Sequence, residues 1–426
     1  MLNRRAAARG AAAALMVFGL TLGVTGPARA GDGPDQARAP NNKPDKAGRA
    51  PAQGAAVARF QEAAEGWRPA VHERLCALIK GVKPGELCVF DFDNTVLCED
   101  IGEATLIELI RSGRLSLESV PAALKLDLVI NGKPRPYKSF TSLFEYYEAL
   151  AWSPKSEGAG SRACHASAYT WIVEAMAGLT AAEVVAASRK ALETKPGELL
   201  TCDGASVMRP FIRPEVASLL RALKAAGARV VIVSASNVWT VRTMVRDELN
   251  PLLGDQAIPA RDVFGLSVFL QSPGRGLKTD RELVGEAGYA DLDPATLRDW
   301  TLTPRLVQPV STFAGKVAVI RDNLLAEGAP LLIAGDSEND HAMLRTARNR
   351  LWFGRLHKTA LQRRARGLVK AAPERWLVQP VLCGKGGRLV ATREAITAAR
   401  GDAAPARTKL ELAELQRWLD VLPSGD

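Results

Sequence analysis

Asp91 and Asp93 stand two residues apart in the run Asp91-Phe92-Asp93-Asn94-Thr95, directly after the apolar stretch Leu87-Cys88-Val89-Phe90. Carboxylates at the end of a buried stretch are costly unless a cation neutralises them. A second apolar run, Leu331 to Ala334, ends in Gly335-Asp336-Ser337-Glu338-Asn339-Asp340, and a third, Arg229 to Val233, ends at Ser234. Four aspartates gathered at one edge would make a hard-oxygen site that suits Mg2+. Ser234 and Lys316 add donors for a phosphate. Together these residue types fit phosphoryl transfer: a metal and a lysine offset the phosphate charge while a carboxylate attacks phosphorus.

Unbroken apolar runs of four or five residues suit strands buried on both faces, as in a parallel sheet. Before the Arg229 run, Val216, Leu219, Leu220 and Leu223 form a helical stripe, and Gly227 is placed to stop that helix. Helices alternating with such strands predict an open α/β sheet, which binds ligands at the carboxyl ends of its strands. About 130 residues separate the Leu87 and Arg229 runs and carry few strand signals. Phe140 to Leu150 and Tyr169 to Leu179 read as amphipathic helices, and Thr180 with Glu183 forms a capping box opening a helix to Leu192. Phe264 to Leu270 and Trp300 to Val307 read as a small antiparallel extension, and Leu410 to Leu422 as a final helix.

Asp91-x-Asp93-x-Thr95, Ser234, Lys316 and Gly335-Asp336-x3-Asp340 follow the order of the four motifs of haloacid dehalogenase superfamily phosphatases, which the chain resembles over residues 85–350. The resemblance implies a Rossmann-like parallel core with a helical cap inserted between the first and second motifs, as in phosphoserine phosphatase. It implies that Asp91 is the nucleophile and Asp93 the general acid and base, whose main-chain carbonyl also ligates Mg2+. Asp91 and Asp336 would be further metal ligands, with Asp340 supporting the metal or orienting the lysine. Ser234 and Lys316 would hold phosphate oxygens. Thr95 is implied to shape the loop and Asn339 to support the site. Dehalogenases of the superfamily do not keep the second aspartate, so that activity is set aside. Tyr169-Thr170-Trp171, Gly178-Leu179-Thr180-x2-Glu183-Val184, Val233-Ser234-Ala235-Ser236 and Gly315-Lys316-Val317-x2-Ile320 resemble the exported phosphorylcholine-phosphatase-like branch. The implied substrate is a small phosphorylated metabolite, with an amine-bearing one such as phosphocholine in view. Asp100, nine residues after the nucleophile, with Glu99 and Glu103, could face an ammonium head group; equally, acids there suit a helix N-terminus. Trp152, Trp171 and Trp239 could stack a quaternary ammonium or pack a core. His165 and His341 read as loop or helix-surface residues. A phosphotransferase, or a non-catalytic phosphate- and metal-binding module on the same sheet, is the competing reading. Asp93 argues against the module, because turnover of a phospho-aspartate needs an acid and base there.

The 426 residues are 47% apolar and 24% charged, a globular composition. Arg4, Arg5 and Arg9 precede an uncharged stretch to Pro27 and the small-residue exit Ala28-Arg29-Ala30, the pattern of a bacterial-type signal peptide. The Arg4-Arg5 pair leaves Sec and twin-arginine export both open. Residues 1–30 hold four arginines and no acid, so the net charge falls from +10 to +6 beyond them. That mild charge predicts no nucleic-acid partner, and the short apolar core predicts no stable membrane insertion after cleavage. Arg345 to Lys370, dense in arginine, reads as a solvated helical face. Cys164 and Cys202 could pair in an oxidising compartment or stay as buried thiols. The expected organisation is a signal peptide (1–30), a flexible leader (31–57) with ordered structure from near Phe60, core (58–98), helical cap (99–205), core (206–380) and a C-terminal extension (381–426). The protein is expected to be exported, periplasmic or secreted.

Overall fold

A computed structural model describes residues 46–152, 165–324, 328–401 and 404–422. The signal peptide, most of the leader, Cys164, and the side chains of Trp152 and His165 lie outside them. A six-stranded sheet forms the core: β1 (Leu87–Phe90), β2 (Arg229–Asn237), β3 (Val263–Leu266), β4 (Leu332–Gly335), β5 (Asn349–Arg355) and β6 (Trp376–Val381). The spatial order is β6-β5-β4-β1-β2-β3 and every pairing is parallel. β1 thus lies between β4 and β2, and the three apolar runs end side by side. Successive β1 residues feed opposite faces: Cys88 and Phe90 join one buried cluster, Leu87 and Val89 the other. Burial on both faces is why these strands read as continuous apolar runs.

The insertion leaves and re-enters the core through a short antiparallel ribbon, Leu97–Cys98 against Phe211–Ile212. Inside it lie helices Ile101–Arg111, Leu143–Trp152, His165–Ala175 and Ala181–Leu192, the last opened by the Thr180–Glu183 capping box. The insertion also holds two hairpins, Leu128–Ile130 with Lys133–Arg135 and Leu199–Cys202 with Ala205–Met208. The second hairpin's turn contains Asp203 and Gly204, both at positive φ.

Three expectations need correction. Helix Lys46–Glu62 begins well before Phe60 and takes in the end of the expected leader. Its buried side offers Ala56 and Phe60, too sparse a stripe to show in sequence. Phe264 lies in β3, parallel to β2. The antiparallel extension is instead Val268–Ser272 between Gly276–Lys278 and Thr301–Leu306, and Leu302 exchanges backbone hydrogen bonds with Gly178 and Leu179. The final helix runs Pro405–Leu419, earlier than expected because Pro405 opens it. Its Trp418 is fully buried, and both Trp418 and Trp352 donate to Gln362 Oε1. Among the described residues no helix is long and apolar enough to cross a membrane.

Candidate active site

Asp91 begins where β1 stops, its backbone N–H still donating to Ala334 in β4. Its Oδ1 lies 2.6 Å from Lys316 Nζ and its Oδ2 accepts from the Thr95 hydroxyl at 2.9 Å. Lys316 is fully buried and also reaches Asp340 Oδ1 at 2.7 Å. Helix Ala314–Asn323 presents this lysine after Phe313, which has φ of 46° and donates its N–H to Asn339 Oδ1. A Cβ on Gly315 would lie 1.8 Å from the Val310 carbonyl oxygen, so only glycine lets the helix start here. Asp340 is held by the N–H groups of Asp336 and Ser337 and the Ser337 hydroxyl, all on its Oδ2.

Burial raises Asp91 to about 6, with the Asp340 charge adding to it and Lys316 opposing. Burial opposes the charge on Lys316 too, but Asp340 and Asp91 hold it above its usual range. Asp93 Oδ1 accepts from Ile101 N–H at 2.8 Å; its Oδ2 accepts from the hydroxyls of Ser236 at 2.7 Å and Ser234 at 3.2 Å. Burial, then the Asp100 charge, raises Asp93 to about 7, within reach of both protonation states near neutral pH.

One oxygen from each of Asp91, Asp336 and Asp340 falls within 4.8 Å of the others. Asp336 Oδ2 is buried without a hydrogen bond, although Arg355 Nε stands 2.7 Å away as an ion pair. Burial raises Asp336 well above the usual carboxylate range, Arg355 opposing and Asp91 adding. A buried, all-carboxylate set of oxygens this close together fits a hard divalent cation. Asp340 is already engaged by Lys316 and Ser337, which fits a supporting role.

The expected residues Asp91, Asp93, Thr95, Ser234, Lys316, Asp336, Asn339 and Asp340 therefore converge. Ser234 sits differently from expectation: it is fully buried against Asp93 and Ser236 N–H, and Ser236 is the hydroxyl that lines the cavity.

A cavity of about 580 Å3 opens over the aspartates. Glu99, Asp100, Glu103, Tyr147 and Tyr169 line it. Asp100 lines the cavity, and its Oδ1 caps helix Ile101–Arg111 by accepting from Glu103 N–H, as acids at a helix N-terminus do. Burial raises Asp100 and Glu103 each to about 7, and the Glu103 charge adds to the shift on Asp100. Tyr147 donates its hydroxyl to Glu103 at 3.3 Å. Glu99, at φ of 73°, accepts from Gly384 N–H at 2.5 Å, so the C-terminal segment helps build this wall.

Trp171 and Trp239 are packing residues, donating to Leu124 O and to the Tyr289 hydroxyl. His341 is half-buried and packs at a tilt against Trp352, ring centroids 5.3 Å apart. The basic stretch is only partly a solvated face: Arg355 enters the site, while Arg364 and Arg366 pair with Glu338 and Glu414. Tyr147, Tyr169, Ser236 and Arg355 were not singled out as site residues. Tyr169 and Ser236 do fall inside motifs shared with the phosphorylcholine-phosphatase-like branch.

Residues 88–260 match the family of haloacid dehalogenase-like hydrolases. A relative, the phosphorylcholine phosphatase of Pseudomonas aeruginosa, is 28% identical over 323 residues, covering 72% of this chain and 85% of its own. Among solved structures, a conserved functionally unknown protein from Anaerococcus prevotii aligns with a TM-score of 0.49 at 15% identity, covering 76% of this chain and 96% of that one. A phospho-aspartyl intermediate analogue of phosphoserine phosphatase aligns at 0.32 and 15% identity, covering 64% and 87%.

Proposed function

From its membership of the haloacid dehalogenase-like hydrolases and its phosphatase character, we propose that this chain is an exported, Mg2+-dependent phosphomonoesterase. It acts through an aspartyl-phosphate on a small amine-bearing phosphoester, phosphocholine being the first candidate. The observation that carries the reading is the pairing of Asp91, held 2.6 Å from Lys316, with a second aspartate two residues on whose carboxyl titrates near 7.

An Asp91 carboxylate oxygen attacks phosphorus and the ester P–O bond breaks. Asp93 gives its proton to the departing oxygen. Water then attacks the phosphoryl group, Asp93 takes up the proton, and the Asp91–phosphorus bond breaks to release phosphate. Lys316 and Ser236 face the phosphoryl oxygens. Asp91, Asp336 and the Asp93 main-chain carbonyl would hold Mg2+, which offsets phosphate charge.

Three acids and two tyrosines on the cavity wall suit an organic cation, which carboxylates and ring faces both attract. The relative's activity, that of a phosphorylcholine phosphatase, supports the same head group. The pattern at residues 1–30 supports export, and N-terminal sequencing of the mature protein from the periplasm or medium should begin after Ala30.

Phosphate release from phosphocholine, phosphoethanolamine, phosphoserine and p-nitrophenyl phosphate, with Mg2+ and with chelator, tests the rest. Turnover should favour the first two, stop with chelator, return with Mg2+ and vanish in Asp91→Asn. Full activity in chelator or in Asp91→Asn would overturn the mechanism.

A further inference from the structure

The pocket wall holds Cys383, and Cys98 lies behind it; the proposed reaction uses neither. Cys98 ends the first strand of the cap ribbon, seven residues after the nucleophile, and Cys383 follows β6 in the C-terminal segment. Both are buried free thiols whose side chains interact across 284 intervening residues, Cys98 Sγ also reaching Glu99 Oε1 at 3.8 Å and Cys383 Sγ reaching Asn94 Oδ1 at 3.7 Å.

Both backbones are fixed. Cys98 pairs with Phe211 in the ribbon, while the Cys383 carbonyl accepts from Arg400 and Arg407 at 2.9 and 2.7 Å. The turn after Cys383 presses on Cys98 so closely that a Cβ on Gly387 would lie 2.4 Å from its sulfur. Cys383 also lines the cavity, so a small reagent entering the active site reaches it.

The surroundings favour a thiolate. Arg213 is buried and bonds through Nε to Leu97 O, while its Nη1 and Nη2 have no hydrogen-bond partner among the described residues. The Cys98 hydrogen bond, with Arg213 and Arg355, brings Cys383 down to about 7 against its burial. A thiolate with a second thiol in contact is the arrangement that exchanges with disulfides.

We propose that Cys98 and Cys383 are a dithiol pair that closes to a disulfide, covalently tying the loop of reacting aspartates to the C-terminal segment. The oxidant is a small organic disulfide. The Cys383 sulfur attacks one of its sulfurs and that S–S bond breaks, releasing one thiol. Cys98 then attacks Cys383 in the mixed disulfide and releases the second thiol. The two protein thiol hydrogens end on the two released thiols, and two electrons pass from the protein to the reagent. The cross-link also pins Glu99, which lies next to Cys98 and accepts from Gly384, next to Cys383.

The full-length chain is reduced, freed of reductant, incubated with bis(2-hydroxyethyl) disulfide, denatured, alkylated and mapped by peptide mass spectrometry. The expected product is a Cys98–Cys383 peptide pair two hydrogens lighter, with Cys76 and Cys88 alkylated. The oxidised chain should melt about 5 °C or more above the reduced one, because the closed loop is long. Dithiothreitol should reverse the shift, and Cys98→Ala and Cys383→Ala should each lack it. Alkylation of both cysteines after oxidation would overturn the proposal. So would a mixed disulfide left on Cys383 with Cys98 alkylated, or a shift that persists in both variants. If a variant does not fold, the peptide map of the unchanged chain still decides.

Discussion

Replacing Asp93 by Asn separates the two halves of the proposed reaction. The amide oxygen can keep the Ile101 N–H bond now made at 2.8 Å. The amide nitrogen would face the Ser236 and Ser234 hydroxyls, now at 2.7 and 3.2 Å, and hydroxyls rotate to accept. The loop therefore keeps its shape and only the transferable proton is lost. A general acid of this kind contributes about 10²–10⁴ in rate, or about 3–5 kcal/mol of barrier. An alkoxide leaving group such as choline needs that proton, whereas nitrophenolate does not. Stopped-flow mixing of Asp93→Asn with p-nitrophenyl phosphate should show a burst approaching one nitrophenolate per chain, then a stall, because hydrolysis of the phospho-enzyme has lost its base. Phosphocholine should give no burst. For the unchanged enzyme, kcat/KM on phosphocholine should fall as pH rises through about 7, where Asp93 loses its proton. Equal first-turnover losses on both esters, or no burst on the aryl ester, would refute the role of Asp93.

Two further substitutions probe the walls of the site. Asp100 and Glu103 titrate near 7 in the fold but near 4 in an unfolded chain, so the folded state binds more protons and stability falls as pH rises from about 4 through 7. Glu103→Gln should therefore raise the melting point at pH 8, by about 1–2 kcal/mol of stability, and leave it unchanged at pH 4. The same variant should raise KM for phosphocholine about tenfold with little effect on p-nitrophenyl phosphate; equal effects on both would remove the head-group role. Gly335→Ala would put a Cβ 2.6 Å from Asp340 Cβ and displace the partner of Lys316, so kcat should fall about a hundredfold while circular dichroism stays native.

Several candidate site residues are legible because an apolar run turning abruptly polar is a local signal. Asp91 and Asp336 directly follow strands buried on both faces, and Ser234 stands where the apolar part of β2 turns polar although the strand runs on to Asn237. Arg355 was not legible, since it lies in an arginine-rich stretch and meets Asp336 only because β5 lies beside β4, with Trp352 opposite Gly335. Sheet adjacency is a long-range fact that no local period encodes. Tyr147 fits a helical stripe and read as cap packing, yet its ring also borders the cavity and its hydroxyl reaches Glu103. Ser234 and Ser236 differ by one strand repeat, and which of them opens on the cavity depends on how the chain turns after β2. Helix Lys46–Glu62 gives a weak signal because, among its described side chains, Ala56 and Phe60 are the buried ones.

The order of strands in the sheet departs from their order along the chain, and this sets when the protein becomes competent. Asp91 follows β1 directly, but the neighbours of β1 begin only at Arg229 and Leu332. The Glu99 wall waits for Gly384, and the layer under β5 waits for Trp418. A chain halted before Leu332 holds Asp91, Asp93 and Lys316 but lacks the neighbouring strand β4 and the carboxylates of Asp336 and Asp340. Pairings across such separations also form late in folding. Chains that stop before Leu332 should therefore release no phosphate, which a truncation at that point would check.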